Sequence, residues 1–379
     1  MKRLLCIGHE AGRSGAPIVL LNLIKWIHLN EPATKIDLLL LSGGTLETEY
    51  RKYCDVHLLD NQKPNLVDRI ANRLGLRNQK GPSPVFDRKY DVVIGNTIVT
   101  LPFLERFSRR DQKIVCWMHE LEGVVSSIYP KDEFRRLAEL PDALIVPSKT
   151  FYPMLKKYDI GTDAILAYDF NDIKEIDDIE KVDRTVLGYP SDAFIVVGAG
   201  TIESRKGTDL FIEIAERVSQ VYEDVFFDWV GNLSRDENEA SEMGKAMNRV
   251  SGNPRITVHP ASPDYLKIVA AADVFALTSR EDPCPLVALD AAALGKPIIC
   301  FKDSGGIPEI IGDDAGKAVK HGSVEEFADA IIAFYNDRTQ LASAAKTARA
   351  RVETEFTMER SCRTIYNALV KVAGREQTP

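Results

Sequence analysis

The sequence predicts an α/β protein made of two doubly wound parallel sheets, one in each half of the chain. The first observation is a series of short apolar runs at residues 4–7, 36–41, 56–59, 92–94, 114–117 and 144–146, each read as a strand. The second is a further set of five runs, at residues 195–197, 226–230, 256–258, 274–277 and 298–301, again with helical patterns between them. Strands that alternate with helices form a parallel sheet covered on both faces, because each crossover needs the length of a helix. The third is length, since 379 residues exceed what one hydrophobic core organises.

A composition of 45% hydrophobic and 27% charged residues is that of a soluble globular chain. No apolar run nears the roughly 20 residues of a membrane span, and the start MKRLLCIGHE turns polar too early for a signal peptide. The expected place is the cytoplasm or the inner face of the membrane. The six cysteines show no Cys-x-x-Cys spacing, and Cys6, Cys116 and Cys300 fall inside strand runs, as buried free thiols would. Charge is uneven: residues 1–167 hold 24 Lys+Arg against 20 Asp+Glu, and residues 168–379 hold 24 against 36. Only the first half leans toward an anionic surface or acceptor, and no nucleic-acid partner is expected.

The most informative stretch is residues 272–301, ADVFALTSREDPCPLVALDAAALGKPIICF, which reads strand, turn, helix, turn, strand. Ligands of an open parallel sheet bind at the carboxyl ends of its strands, here residues 279–285. Pro285 suits a first helical position, so the N–H groups of Leu286 and Val287 would meet an anion there with the positive end of the helix dipole. Asp282 and Asp290 flank this anion site. A carboxylate repels phosphate but accepts hydrogen bonds from vicinal hydroxyls, so the fitting ligand is a diphosphate between polyhydroxylated rings, a nucleotide sugar. The alternative makes Asp282 a turn residue and pairs Asp290 with a core Lys or Arg.

Other segments add to this. The first strand run enters Gly8-His9-Glu10-Ala11-Gly12-Arg13-Ser14-Gly15-Ala16-Pro17 before a helix at about residues 18–29. The next strand ends Leu41-Ser42-Gly43-Gly44 with no acid, which disfavours a nicotinamide dinucleotide. His119 follows the strand run 113–117, at a carboxyl end. After the run 195–197, the loop 198–207 carries Arg205 and Lys206 before an amphipathic helix at 209–220. Residues 65–77 place Leu66, Ile70 and Leu74 on one face and Arg69, Arg73 and Arg77 on another, either a solvated helix or one meeting anionic lipid or a phosphorylated acceptor. The predicted division is 1–167, an acidic linker 168–190, 191–357, and a helix within 358–379.

These segments resemble the retaining GT-B glycosyltransferases of glycosyltransferase family 4. The likeness rests on SREDPCPLVALDAAALGKPIICF followed by SGGIPEII, with further matches near residues 8–17, 117–120 and 198–212. The family pattern has glutamates where this chain has Asp282 and Asp290, one methylene shorter. Thr201 stands at the family's arginine position, while Lys206-Gly207 matches, so Arg205 is the candidate for the missing charge. The resemblance implies two Rossmann-like domains facing a cleft, with the nucleotide-sugar donor held by the second and a terminal helix crossing back to the first. It puts Gly15 near the reaction centre and His119 beside the donor diphosphate. It further implies a retaining transfer to a glycan or lipid-linked acceptor, without metal or cofactor. Two rivals stay open: a catalytically silent sugar-nucleotide-binding subunit and a GT-B sugar-nucleotide epimerase.

Overall fold

The computed structural model describes residues 1–59, 84–110, 112–173, 176, 179, 183–234, 237, 241–250, 252–262 and 264–374. The predicted helix at 65–77 lies outside the described residues. The chain divides into two units: Met1–Val146, Phe151–Ala167 and the chain from Cys362 onward form the first, and Pro147–Thr150 with Tyr168–Ser361 form the second.

The first unit is built on seven parallel strands, β1 (Arg3–Gly8), β2 (Lys35–Leu40), β3 (Asp55–Leu58), β4 (Val92–Asn96), β5 (Ile114–Trp117), β6 (Ala143–Val146) and β7 (Ala164–Leu166). Their order across the sheet is β3-β2-β1-β4-β5-β6-β7. Both faces of the central strands are covered, so β1 and β4 read as near-continuous apolar runs rather than alternating ones. Gly8 pairs with Asn96 and Asn96 with Trp117, so these three stand abreast at the carboxyl edge. His9, Thr97 and Met118 therefore start three neighbouring loops.

The second unit has six parallel strands, β8 (Phe194–Ala199), β9 (Val225–Val230), β10 (Ile256–His259), β11 (Val274–Leu277), β12 (Ile298–Phe301) and β13 (Gly316–Val319), ordered β10-β9-β8-β11-β12-β13. Its core packs Phe194, Phe211, Phe227, Trp229 and Phe301 between sheet and helices. The order reverses between β8 and β11, which opens the crevice where such sheets bind ligands.

All eleven predicted strands are present. The two unpredicted ones, β7 and β13, are edge strands: β7 is three half-buried residues, and β13 reads Gly-Lys-Ala-Val, with too little apolar character to stand out. Residues 168–190, read from sequence as a linker, group with the second unit. Phe170 and Tyr189 are buried there, and Tyr189 packs edge-on against Phe226 with ring centroids 5.6 Å apart. The helix Met358–Ala373 belongs to the first unit from Cys362 on, where Tyr366 packs tilted against Trp26 with ring centroids 6.1 Å apart and shares a 3.0 Å hydrogen bond with Thr34. All six cysteines are free thiols.

Candidate functional site

The second unit brings Lys206 onto Asp282. The loop after β8 is held down by Trp229, whose Nε1 donates to the Gly200 carbonyl at 3.0 Å. It ends at Gly207, with φ 68°, where a Cβ would lie 1.9 Å from the Thr278 carbonyl oxygen, so only glycine lets the loop meet β11 this closely. Lys206 then reaches Asp282 Oδ2 at 2.5 Å, with side chains 16% and 8% exposed. Ser279 Oγ donates to the same oxygen at 3.3 Å. Arg205 turns beside this pair, binding Glu203 at 2.8 Å and the Glu281 carbonyl at 3.1 Å. A partner that sequence reasoning missed braces the loop: Arg280 grips Asp209 with both terminal nitrogens, at 2.8 and 2.6 Å, which raises the guanidinium pKa.

Asp282 is fixed from behind by the glycine pair. Its N–H donates to Ser304 O at 2.7 Å, and a Cβ on Gly305, φ 155°, would lie 1.7 Å from Asp282 O. Gly306 N–H donates to Pro283 O at 2.8 Å. Glu309, three residues on, accepts from Lys149 N at 2.8 Å and from Tyr168 Oη at 2.7 Å. Pro285 sits one place earlier than predicted, at the N-cap of the helix Leu286–Ala293, because its ψ of 121° is extended. The first helical bonds run from Ala288 and Leu289 to Pro285 O, so the amides of Leu286 and Val287 precede the helix's own ladder.

Asp290, one turn into that helix, is 5% exposed. It accepts from Asn171 Nδ2 at 2.5 Å and from the Tyr265 hydroxyl, and burial together with this carboxylate raises the tyrosine pKa. Asn171 also donates to Leu286 O at 3.3 Å, tying the helix start to Asp290. Asn171 and Tyr265 lie 119 and 25 residues away in sequence, and no local pattern announces them.

The first unit holds His119 and Gly15. His119 Nε2 lies 2.8 Å from Oδ1 of the fully buried Asn96, its ring packs tilted at 42° against Trp117 with centroids 4.9 Å apart, and its backbone N–H donates to Glu120 Oε2 at 3.1 Å. His9 is near enough for charge on either ring to matter to the other, and burial followed by His119 holds its pKa below the usual histidine value. Gly15 opens the helix Gly15–Asn30, and a Cβ there would meet nothing within 4 Å, so nothing inside this unit dictates a glycine. Among the described residues no three His, Cys, Asp or Glu side chains gather to hold a metal, and no helix is long and apolar enough to cross a membrane.

Residues 180–351 match the family model of glycosyl transferases group 1. The matched stretch lies within the second unit. Among curated relatives, the chain is 35% identical over 120 residues to alpha-galactosylglucosyldiacylglycerol synthase of Streptococcus pneumoniae, 31% of this chain and 30% of that one. It is 30% identical over 164 residues to the lipopolysaccharide core biosynthesis glycosyltransferase LpsE of Rhizobium meliloti, 42% of this chain and 46% of that one. The chain thus spans less than half the length of these relatives. Among solved structures, Anabaena HepE in complex with UDP-glucose superposes with a TM-score of 0.79 at 19% identity, covering 97% and 99% of the two chains. Sucrose-phosphate synthase of Thermosynechococcus elongatus gives 0.75 at 18% identity, covering 98% and 99%. The chain shares the GT-B fold of these structures, two parallel-sheet α/β units.

Proposed function

We propose that the chain is a glycosyltransferase that moves a sugar, with retention and without a metal, from a nucleotide-diphosphate sugar to a glycan or glycolipid acceptor. The observation that carries this is the Lys206–Asp282 pair at the ends of β8 and β11, beside the free amides that start the helix Leu286–Ala293. A cation, two unladdered N–H groups and a carboxylate side by side offer a diphosphate and a sugar hydroxyl one partner each. As the bond to the leaving diphosphate breaks, charge grows on its terminal phosphate, and Lys206, Arg205 and the amides of Leu286 and Val287 stabilise it by electrostatic attraction. The acceptor attacks the face the diphosphate leaves, and that phosphate takes the acceptor's proton. Asp290 receives the ribose hydroxyls, His119 serves the donor diphosphate and Gly15 the transferred sugar. HepE holds UDP-glucose, which puts UDP-sugars first among donors to try. The names of the two bacterial relatives favour a lipid-linked or polysaccharide acceptor.

The test has two steps. Nucleoside diphosphates are screened by thermal shift, where a ligand at 100 times its dissociation constant adds about 2.7 kcal/mol. At least one should stabilise the wild type and fail on Lys206→Ala. The matching UDP- or GDP-sugar is then incubated with the protein and followed by proton NMR in EDTA. Slow hydrolysis to the sugar with its anomeric configuration kept is expected. Donor bound but never turned over, with membranes added as acceptor source, would leave the silent subunit, and conversion to an epimeric donor would leave the epimerase.

A further inference from the structure

We infer that Asn96 is the positioning residue that holds the His119 ring in one tautomer and ties it to the first loop of the unit. This rests on the reading above only for what the ring does. Asn96 ends β4 with no exposed surface, so each of its polar atoms needs a partner in the protein. Its Nδ2 donates to Ala16 O at 2.9 Å, and a carbonyl can only accept, so the amide cannot be the other way round. Its Oδ1 therefore faces the His119 ring, 2.8 Å from Nε2. An amide oxygen has no proton to give, so Nε2 must carry one, and the neutral ring is the Nε2–H tautomer with its basic lone pair on Nδ1.

The same side chain makes a mechanical link. Ala16 is the second residue of the helix Gly15–Asn30, directly after the glycine read as facing the sugar. Asn96 stands between Gly8 and Trp117 in the sheet, so it cannot shift without moving the carboxyl edge of three strands. After it the chain takes φ 87° at Thr97, a conformation that a β-branched residue resists, and the Thr97 amide is pinned to Trp117 O at 2.8 Å. A displacement of the first loop thus reaches the His119 ring through one amide. Two titratable groups near the ring are His9, which interacts with it electrostatically, and Glu120 in its own loop, whose Oε2 is engaged by the amides of His119 and Ile98.

The test reads the ring directly. Long-range proton–nitrogen spectra of imidazole-labelled full-length protein, with His119 assigned by its loss in His119→Ala, report the tautomer without any substrate. The expected wild-type pattern is Nε2 protonated. Asn96→Leu should give a mixture of tautomers and lower kcat by about tenfold to a hundredfold through misplacement, with donor affinity unchanged. Asn96→Asp keeps an acceptor facing the ring but gives up the donor to Ala16 O, so it should restore the Nε2–H pattern and raise the apparent His119 pKa in the pH–rate profile while releasing the first loop. If Asn96→Leu does not fold, Asn96→Asp decides on that profile. An Nδ1–H ring in the wild type, a tautomer unchanged in Asn96→Leu, or no pKa change in Asn96→Asp would overturn the inference. Full turnover by His119→Ala would remove His119 from the proposed reaction, while the spectra would still support the hold of Asn96 on the ring.

Discussion

Lys206 and Asp282 are 76 residues apart in the chain and close a 2.5 Å ion pair where β8 and β11 end. Without a donor each neutralises the other in a nearly buried place. On the proposed reading a diphosphate competes for the lysine and a sugar hydroxyl for the aspartate, so a bound donor replaces the contact within the pair by one contact to each partner.

Removing one partner strands the other. Lys206→Met should destabilise the unliganded protein by about 3–5 kcal/mol, since Asp282 is left as an uncompensated buried charge. The double change Lys206→Met with Asp282→Leu should recover most of that, while neither variant binds nucleoside diphosphate. Urea unfolding and titration calorimetry check this, and a double variant no more stable than the single one would argue against the pairing.

Gly305→Ala should be costly although the residue touches no proposed ligand. Its φ of 155° and the 1.7 Å approach of the Asp282 carbonyl leave no room for a methyl group. A loss of at least about 1–3 kcal/mol is expected from the backbone conformation alone. Asp282 should shift with it, so nucleotide affinity falls in parallel.

Asp290→Asn keeps the shape but gives up one acceptor oxygen and the charge. With Asn171 and the Tyr265 hydroxyl both donating to it, a stability loss of about 1–3 kcal/mol is expected in the unliganded protein. Nucleotide affinity should also drop. An unchanged affinity would remove the ribose from the list of its partners.

His259 should make stability depend on pH. Asp228, fully buried on β9, lies 3.3 Å from its Nε2 and raises its pKa above the usual value of about 6.5. The contribution is therefore complete below about pH 6.5 and is lost as pH rises through the raised value. Relative to His259→Gln, the wild type should lose stability on going from pH 6 to pH 9. Parallel pH curves for the two proteins would contradict this.

The fold was legible because buried parallel strands are apolar along their whole length. β1, β4, β8 and β11 could hardly be read otherwise, whereas β13 is a short edge strand with a lysine and needs no such signature. Asp282 was singled out as a polar residue at the carboxyl ends of strands and Lys206 by the Lys-Gly match to the resembled family; Asn96 ends β4 at such an edge, so the first rule could have singled it out too. Tyr265 and Asn171 could not be found, because what selects them is contact with Asp290 across the fold. Pro285 was misplaced by one residue because an extended ψ cannot be read from a proline's fixed φ.

The helix Met358–Ala373 has a consequence for how the chain is made. Trp26 and Thr34 emerge early from the ribosome, yet their partner Tyr366 follows only after the whole second unit has been synthesised. At about 5–20 residues per second, the roughly 195 residues between Ala167 and Cys362 take about 10–40 s. During that wait the second unit, contiguous but for Pro147–Thr150, can complete its core, while the first carries an uncovered apolar flank around Trp26. The half of the protein translated first is then the half that finishes folding last, and nascent chains stalled before Tyr366 should be the ones that chaperones hold.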